Sequence, residues 1–469
     1  VRDETSLALG RRLSEEQSSS RLPSVAAGLV RGERRVWFGA AGETQGARPT
    51  DETQYRCGSV SKTFVAAAVM RLRDEGIVDL SDPVSAHLPV LDWSAVTVAH
   101  LLSHTSGLRS ETAGPFWERT PGSSFAELVD TSLRDEDFLF RPGRRFHYSN
   151  VGYAVLGELV KQLKGADSLL DVVDDELLRP LGMLRTTTRP VAPFAAGYAV
   201  HPHADVVLAE PEHDSVAMAP AGQLWSTVDD LCRWTTVLSG GRPDVLSPAT
   251  AAEMREPVAI EDEPGLAWTA AYGLGIELIN RAGRRHYGHH GSMPGFQAVL
   301  MTDAATTDSV VILSNATSFL SRQLEEDLLR TLAEGEPLPS APWRPTEGGI
   351  PAELLELTGT WYWGTLAFAL SIRHDGLLEL SSSGGDPATQ FGQAARGEFV
   401  GLSGPHVGET LRPVRHSDGS LSHLDVGSWV FTRAPYDRDA DVPGGVDPAG
   451  WVGGPSERHG HRPFPWRHA

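Results

Sequence analysis

Within the first 335 residues, strand-like stretches lie at the two ends and helical ones fill the space between. Val25-Ala26-Ala27-Gly28-Leu29-Val30 and Arg35-Val36-Trp37-Phe38-Gly39 flank the turn-like Arg31-Gly32-Glu33, which predicts an antiparallel hairpin. Far along the chain, the alternation from Tyr272 to Leu278 predicts a strand, Gln297 to Thr302 a second, and the apolar run from Ser309 to Leu313 a third. A helix from Leu324 to Leu332 closes this unit. Residues of about 110–240 read as mostly helical with Pro- and Gly-rich loops. Strands this far apart share a sheet only if the two ends fold back together. The expectation is therefore one sheet built from both ends, with a helical insertion beside it. Residues 1–20 are polar and predict a short amphipathic helix at most.

A chain of 469 residues exceeds one ordinary core. Gly335 to Gly349 is rich in Pro and Gly and reads as a linker. After it the pattern changes to short strands at close spacing: Trp361-Tyr362-Trp363, Phe368/Leu370/Ile372, Leu378/Leu380, Phe399 to Leu402, Thr410-Leu411 and Trp429-Val430-Phe431. That is a small all-β barrel or sandwich. The expected division is a catalytic domain over 1–335, a linker over 336–350, a β domain over 351–435 and a loosely ordered tail over 436–469. A net charge of −20 argues against nucleic acid or an anionic membrane as partner. No apolar run approaches the roughly 20 residues of a spanning helix. Two cysteines, Cys57 and Cys232, form no disulfide framework, although one bridge stays open. The start, Val1-Arg2-Asp3-Glu4-Thr5, has no apolar signal region, so a cytoplasmic location is expected. Val1 in place of Met leaves an alternative start codon or a trimmed end.

The chemistry centres on Cys57-Gly58-Ser59-Val60-Ser61-Lys62, which leads into an Ala-rich helix with Phe64, Ala67, Ala68 and Leu72 on a 3.6-residue period. Ser59 and Lys62 are three apart and share a helix face. Backbone N–H groups at a helix N-terminus point at whatever such a serine attacks. A lysine desolvated enough to lose its proton can take the serine's. Taken alone, the pair reads more simply as an N-cap and a surface charge. Against that stands usage: the chain holds only three lysines, Lys62, Lys161 and Lys164, among 41 Lys and Arg residues. Lysine kept where arginine is the habit points to a need for a titratable amine.

Arg145-Phe146-His147-Tyr148-Ser149-Asn150 precedes a helix whose apolar face is Val155, Leu159 and Leu163. Tyr148 can hold a phenol near the lysine and pass protons, and Asn150 can fix the lysine and a substrate carbonyl. On spacing alone, a helix cap and a packed aromatic explain these residues more simply. Gly288-His289-His290-Gly291-Ser292-Met293-Pro294-Gly295-Phe296 runs into the Gln297 strand. Its glycines admit a substrate backbone, and the Ser292 amide can complete an oxyanion hole with that of Ser59. A metal site at His286, His289 and His290 is the competing reading, but the carboxylate or cysteine partners and helical spacing usual for zinc are missing. No cofactor is implied. No Gly-x-Ser-x-Gly, Walker or His-Glu-x-x-His pattern occurs.

Ser59-Val60-Ser61-Lys62, Tyr148-Ser149-Asn150 and His289-His290-Gly291 resemble, in order, the three motifs of the serine β-lactamase and penicillin-binding-protein superfamily: Ser-x-x-Lys, Tyr-x-Asn, and Lys-Thr-Gly or its His-x-Gly variant. Leu101 to Leu108, Pro142-Gly143 and Leu224 to Leu231 also look like the family. The resemblance covers about residues 20–335. Tyr148 places the chain nearer class C β-lactamases and D-alanyl-D-alanine peptidases. The resemblance implies an α+β fold of the β-lactamase/transpeptidase-like type, an antiparallel sheet flanked by helices plus a helical lobe, followed by an all-β lipocalin-like barrel. It implies a mechanism in which Ser59 attacks an acyl carbonyl, Lys62 and Tyr148 manage the proton with Asn150 beside them, and Ser59, Gly291 and Ser292 hold the oxyanion and substrate. Which of Lys62 and Tyr148 is the base stays open. His289 stands where the main branches carry Lys, so a substrate carboxylate is expected to be held less well.

The two-domain layout is similar to stand-alone penicillin-binding-protein-type thioesterases, which act on nonribosomal peptides. This implies a peptidyl carrier protein-bound thioester as partner, Ser59 as acceptor of the peptide, and release by head-to-tail macrolactamisation. The alternative is a serine hydrolase of esters, D-amino-acid amides or β-lactam-like substrates, with water as acceptor. A catalytically idle recognition module is the third possibility.

Overall fold

The early hairpin and the late strands meet in one sheet. The computed structural model describes residues 1–281, 283–318, 320–339, 342, 343, 345, 349–382, 384, 388–395, 397–436, 442–446 and 448. The strands are β1 (Ser24–Arg31), β2 (Arg34–Gly42), β3 (Ala259–Ile260), β4 (Ala270–Tyr272), β5 (Glu277–Arg281), β6 (Arg284–Met293), β7 (Phe296–Asp303) and β8 (Ser309–Ser314). Their order is β2-β1-β8-β7-β6-β5-β4-β3, antiparallel throughout. The closing pair matches Val25 with Ser314 and Val30 with Ser309.

Both faces of the central strands are buried, which explains why they read as continuous apolar runs. Residues alternate between two cores. Val25, Ala27, Leu29, Val299, Met301, Val310 and Ile312 face helices α1 (Asp3–Ser19) and α5 (Arg322–Gly335). Ala26, Ala298, Leu300, Val311 and Leu313 face the larger core, which holds α2 (Ser61–Asp74), α3 (Asn150–Lys164) and α4 (Val228–Leu238). The approach of α4 needs Gly28, where a methyl group would lie 2.6 Å from Val228 Cγ1. Trp234 of α4 stacks on Phe64 of α2 at 4.0 Å between ring centres. Every residue of α2 from Ser61 to Met70 is buried, so its Ala-rich composition serves close packing on all sides.

Three expectations need correction. Residues 3–19 form a full helix of 17 residues. Its apolar stripe is only Leu9 and Leu13, but both are essentially fully buried against α5. Burial of each contributes roughly 1.5–3 kcal/mol, enough to hold a helix whose own composition is polar. The stretch 272–278 is two strands: β4 ends at Tyr272, β5 begins at Glu277, and these two residues pair. Gly275 makes the turn with φ +82°, and a methyl there would collide with Ala66. The middle region also contains a small hairpin, Tyr198–Val200 with Val207–Ala209.

The chain divides into two compact units, Val1–Leu338 and Pro339–Ala469. In the second, eight antiparallel strands from Gly359–Trp363 to Trp429–Thr432 close into a barrel through Tyr362 and Thr432. Trp361, Phe391, Phe399 and Phe431 fill its core. Thr389–Ala395 and Leu421–Val426 are strands that the sequence reading missed, because Gln, Gly and His interrupt their inward-facing apolar residues. Of the expected linker over 336–350, residues 340, 341, 344 and 346–348 lie outside the described residues. The expected tail over 436–469 lies outside them too, apart from 436, 442–446 and 448. Cys57 and Cys232 are buried free thiols. Among the described residues no helix is long and apolar enough to cross a membrane.

Candidate active site

Ser59 sits in a 3-10 turn, Gly58–Val60, that feeds directly into α2. Two glycines let the end of β6 lie against this turn. Gly58 is left-handed (φ +54°), and a methyl there would come 2.5 Å from the Ser292 nitrogen. A methyl on Gly291 would run into the Cys57 carbonyl oxygen and stand 3.0 Å from the Ser59 nitrogen. The backbone at Ser292 thus lies close against the turn that carries Ser59.

Lys62 is fully buried, one turn along α2. Its Nζ lies 3.0 Å from Ser59 Oγ, 2.6 Å from Asn150 Oδ1 and 2.7 Å from the Ala221 carbonyl oxygen. Burial pushes the amine down to about 7, against the opposing pull of Glu111 and Glu118. Two of its partners can only accept hydrogen bonds. A neutral amine gives its two N–H bonds to Asn150 and Ala221, and its lone pair then faces the Ser59 hydroxyl.

Tyr148 is half-buried, and its hydroxyl lies near the Ser59 side chain. Its ring centre is 5.0 Å from Lys62 Nζ. Burial holds the phenol well above its ordinary value, so it stays protonated. Tyr153, with its ring centre 5.6 Å from Nζ, stands beside it on α3. His104 packs on Tyr148 at 4.1 Å and on Tyr272 at 4.6 Å. Together these rings keep water from the lysine. Ser149 caps α3 by accepting from the Gly152 N–H, which leaves Asn150, the first helical residue, free to face Lys62.

His289 is buried near Tyr148, with ring centres 6.3 Å apart. Its Nδ1 donates to the His290 carbonyl, so Nε2 accepts from the Tyr272 hydroxyl at 2.9 Å. Burial pushes it down to about 4 although Glu277 opposes, so the ring is neutral and both nitrogens are engaged. The neighbouring histidines go elsewhere. His290 lies between Glu277 at 2.8 Å and Glu325 at 3.0 Å, and His286 is 3.7 Å from Asp303. Among the described residues no group of His, Cys, Asp and Glu is arranged to hold a metal.

The structure therefore brings Ser59, Lys62, Tyr148 and Asn150 into direct contact, Gly291 and Ser292 against the nucleophile turn, and His289 behind Tyr148. Sequence reading missed four contributors: Glu111, Tyr272, His104 and the Ala221 carbonyl. His104 lies inside a stretch already singled out, and Glu111 follows it by three residues, so proximity to that stretch was the available signal. A backbone carbonyl leaves no trace in composition.

A family model described as Beta-lactamase matches residues 9–334, and a domain of unknown function (DUF7586) matches residues 350–433. Penicillin-binding protein 4 of Amycolatopsis lactamdurans is 31% identical over 338 residues, 67% of this chain and 86% of that protein. Penicillin-binding protein 4* of Bacillus subtilis is 26% identical over 296 residues, 59% of this chain; the chain thus spans just under two thirds, 64%, of that relative. Among solved structures, SurE aligns over 92% of this chain and 99% of its own at 26% identity and a TM-score of 0.59. A D-stereospecific amidohydrolase from Streptomyces sp. aligns over 70% and 98% at 25% identity and a TM-score of 0.59.

Proposed function

Because the chain belongs to the β-lactamase family of serine hydrolases, we propose that it transfers acyl groups through a covalent ester on Ser59, with Lys62 as the base. The observation that carries this reading is the triangle around the buried Lys62 amine: two pure acceptors and the nucleophilic hydroxyl, all within 3.0 Å. Ser59 Oγ attacks the acyl carbonyl as its proton moves to Lys62. The oxyanion is held by the Ser59 and Ser292 N–H groups. Tyr148, which stays a neutral phenol, donates to Ser59 Oγ and relays the proton to the leaving group. With Lys62 at about 7 and the phenol far higher, the amine is the better base at neutral pH.

The neutral, fully engaged His289 offers no cation and no free donor to a carboxylate. This supports acyl donors without a carboxylate beside the scissile bond. We therefore propose a peptide thioester on a peptidyl carrier protein as donor, and the peptide's own amine as acceptor, giving a macrolactam. The two-unit layout, which resembles that of stand-alone penicillin-binding-protein-type thioesterases, supports this choice. The second reading, hydrolysis of D-amino-acid amides or esters, draws support from the likeness to the D-stereospecific amidohydrolase. A linear peptidyl thioester surrogate ending in a D-residue separates them. Intact-protein mass is expected to show the peptidyl adduct on wild type and none on Ser59→Ala. Product analysis then distinguishes cyclic peptide from linear acid. Linear acid alone would favour the hydrolase, and no adduct on any acyl donor would remove both.

A further inference from the structure

We propose that Glu111 is a positioning residue that fixes the orientation of the Asn150 side-chain amide and, through it, aims the Lys62 lone pair at Ser59. The proposal rests on the acyl-transfer reading above and adds a residue that no family motif named in the sequence contains. Glu111 Oε1 accepts from Asn150 Nδ2 at 2.7 Å, and Oε2 accepts from Trp117 Nε1 at 2.6 Å. Trp117 is almost completely buried, so the carboxylate is pinned at its inner edge although the residue as a whole is open to solvent.

An asparagine amide has one accepting end and one donating end, and the two are nearly the same shape. A carboxylate can only accept. Glu111 therefore selects the orientation in which Nδ2 points to it and Oδ1 points to Lys62 Nζ, 2.6 Å away. In the reversed orientation an NH₂ group would meet the lysine N–H bonds and an oxygen would meet the carboxylate, both unfavourably. With Oδ1 in place, Asn150 and Ala221 each take one lysine N–H, and the remaining position on nitrogen belongs to Ser59.

The same carboxylate acts through its charge. The groups facing the amine are Glu111 and Glu118 from the segment after the short helix Val98–Leu102, His104 just past that helix, Tyr148 and Tyr153 at α3, and His289 on β6. Only the two glutamates favour the ammonium, and Glu111 contributes the larger share. Removing its charge makes the amine easier to deprotonate. Backbone placement does not depend on the side chain, because Asn150 N–H bonds the Ser110 carbonyl at 2.9 Å and Ser149 Oγ bonds the Arg109 carbonyl at 2.7 Å.

The test is the rate at which a fluorophosphonate labels Ser59, measured from pH 5 to 9 in the full chain. In this reaction the Oγ–P bond forms, the P–F bond breaks, fluoride leaves and the serine proton passes to Lys62. Glu111→Gln loses the charge and keeps one acceptor, which can serve Asn150 at the cost of the Trp117 N–H bond. It is expected to retain the plateau rate within about threefold and to shift the acidic limb to lower pH by about half a unit or more. Glu111→Ala frees the amide and is expected to lower the plateau about 10- to 100-fold. A purely structural role would lower both plateaus without moving the limb. Unchanged limbs in both variants, or an unchanged plateau in Glu111→Ala, overturn the proposal. If Glu111→Ala does not fold, the limb of Glu111→Gln decides. Failure of wild type to label at any pH would overturn the acyl-transfer reading itself.

Discussion

Lys62 costs the fold stability by being buried. An amine that titrates near 10.5 in the unfolded chain titrates at about 7 here, so the unfolded state holds one more proton between those values and stability rises with pH across that window. Below about pH 7 the full penalty applies, on the order of a few kcal/mol. Lys62→Met is therefore expected to melt higher than wild type at pH 6, by calorimetry, while losing all labelling at Ser59. Lys62→Arg, which cannot deprotonate, is expected to lower acylation by about 10²–10⁴-fold in the same labelling assay. The Ser59–Lys62 pair was legible because helical spacing and the scarcity of lysine are both properties of the string. The partners of the lysine were less so. Asn150 was visible as a candidate, yet its amide orientation depends on Glu111, which is 39 residues away, and the Ala221 carbonyl could have been any peptide.

Among the elements, β6 does the most to assemble the site, and it does so by having no side chain at Gly291. Gly291→Ala would force the strand off the nucleophile turn, and a shift of that kind costs about 1–3 kcal/mol. The expected result is a lower melting temperature with a disproportionate loss of acylation rate, because Ser292 N–H moves with the strand. The same strand carries His290, which ties β6 to β5 and α5. Burial alone would lower its pKa, but Glu277 and Glu325 overcome that and push it up to about 10. A histidine that titrates at 6.5 when unfolded then stabilises the fold fully below that pH and loses the contribution as pH rises toward 10. His290→Gln is expected to flatten the fall in melting temperature over pH 6.5–10, read by circular dichroism. At this scale the strands β7 and β8 were legible, because their apolar runs are local. The helix α1 and the turn at Gly275 were not. Each depends on what packs against it: Leu324 and Leu328 for the helix, Ala66 for the turn.

For the molecule as a whole, antiparallel pairing of the two ends of the first unit and an all-β second unit could both be read from where strand patterns fell along the chain. The full order of the sheet could not, since β3 is only two residues long. Among the described residues the barrel has a buried core of its own, which includes Trp361, Phe391, Phe399 and Phe431. Phe391→Ala is expected to destabilise the barrel by about 3–5 kcal/mol, seen as loss of amide protection confined to residues 359–432 in hydrogen exchange. The pairing of β1 with β8 has a consequence for biogenesis. During translation β1 is made about 280 residues before the strand that flanks it, a delay of some tens of seconds at about 5–20 residues per second. Through that interval one edge of the early hairpin has no neighbour, and an unpaired edge of that kind invites association with other chains.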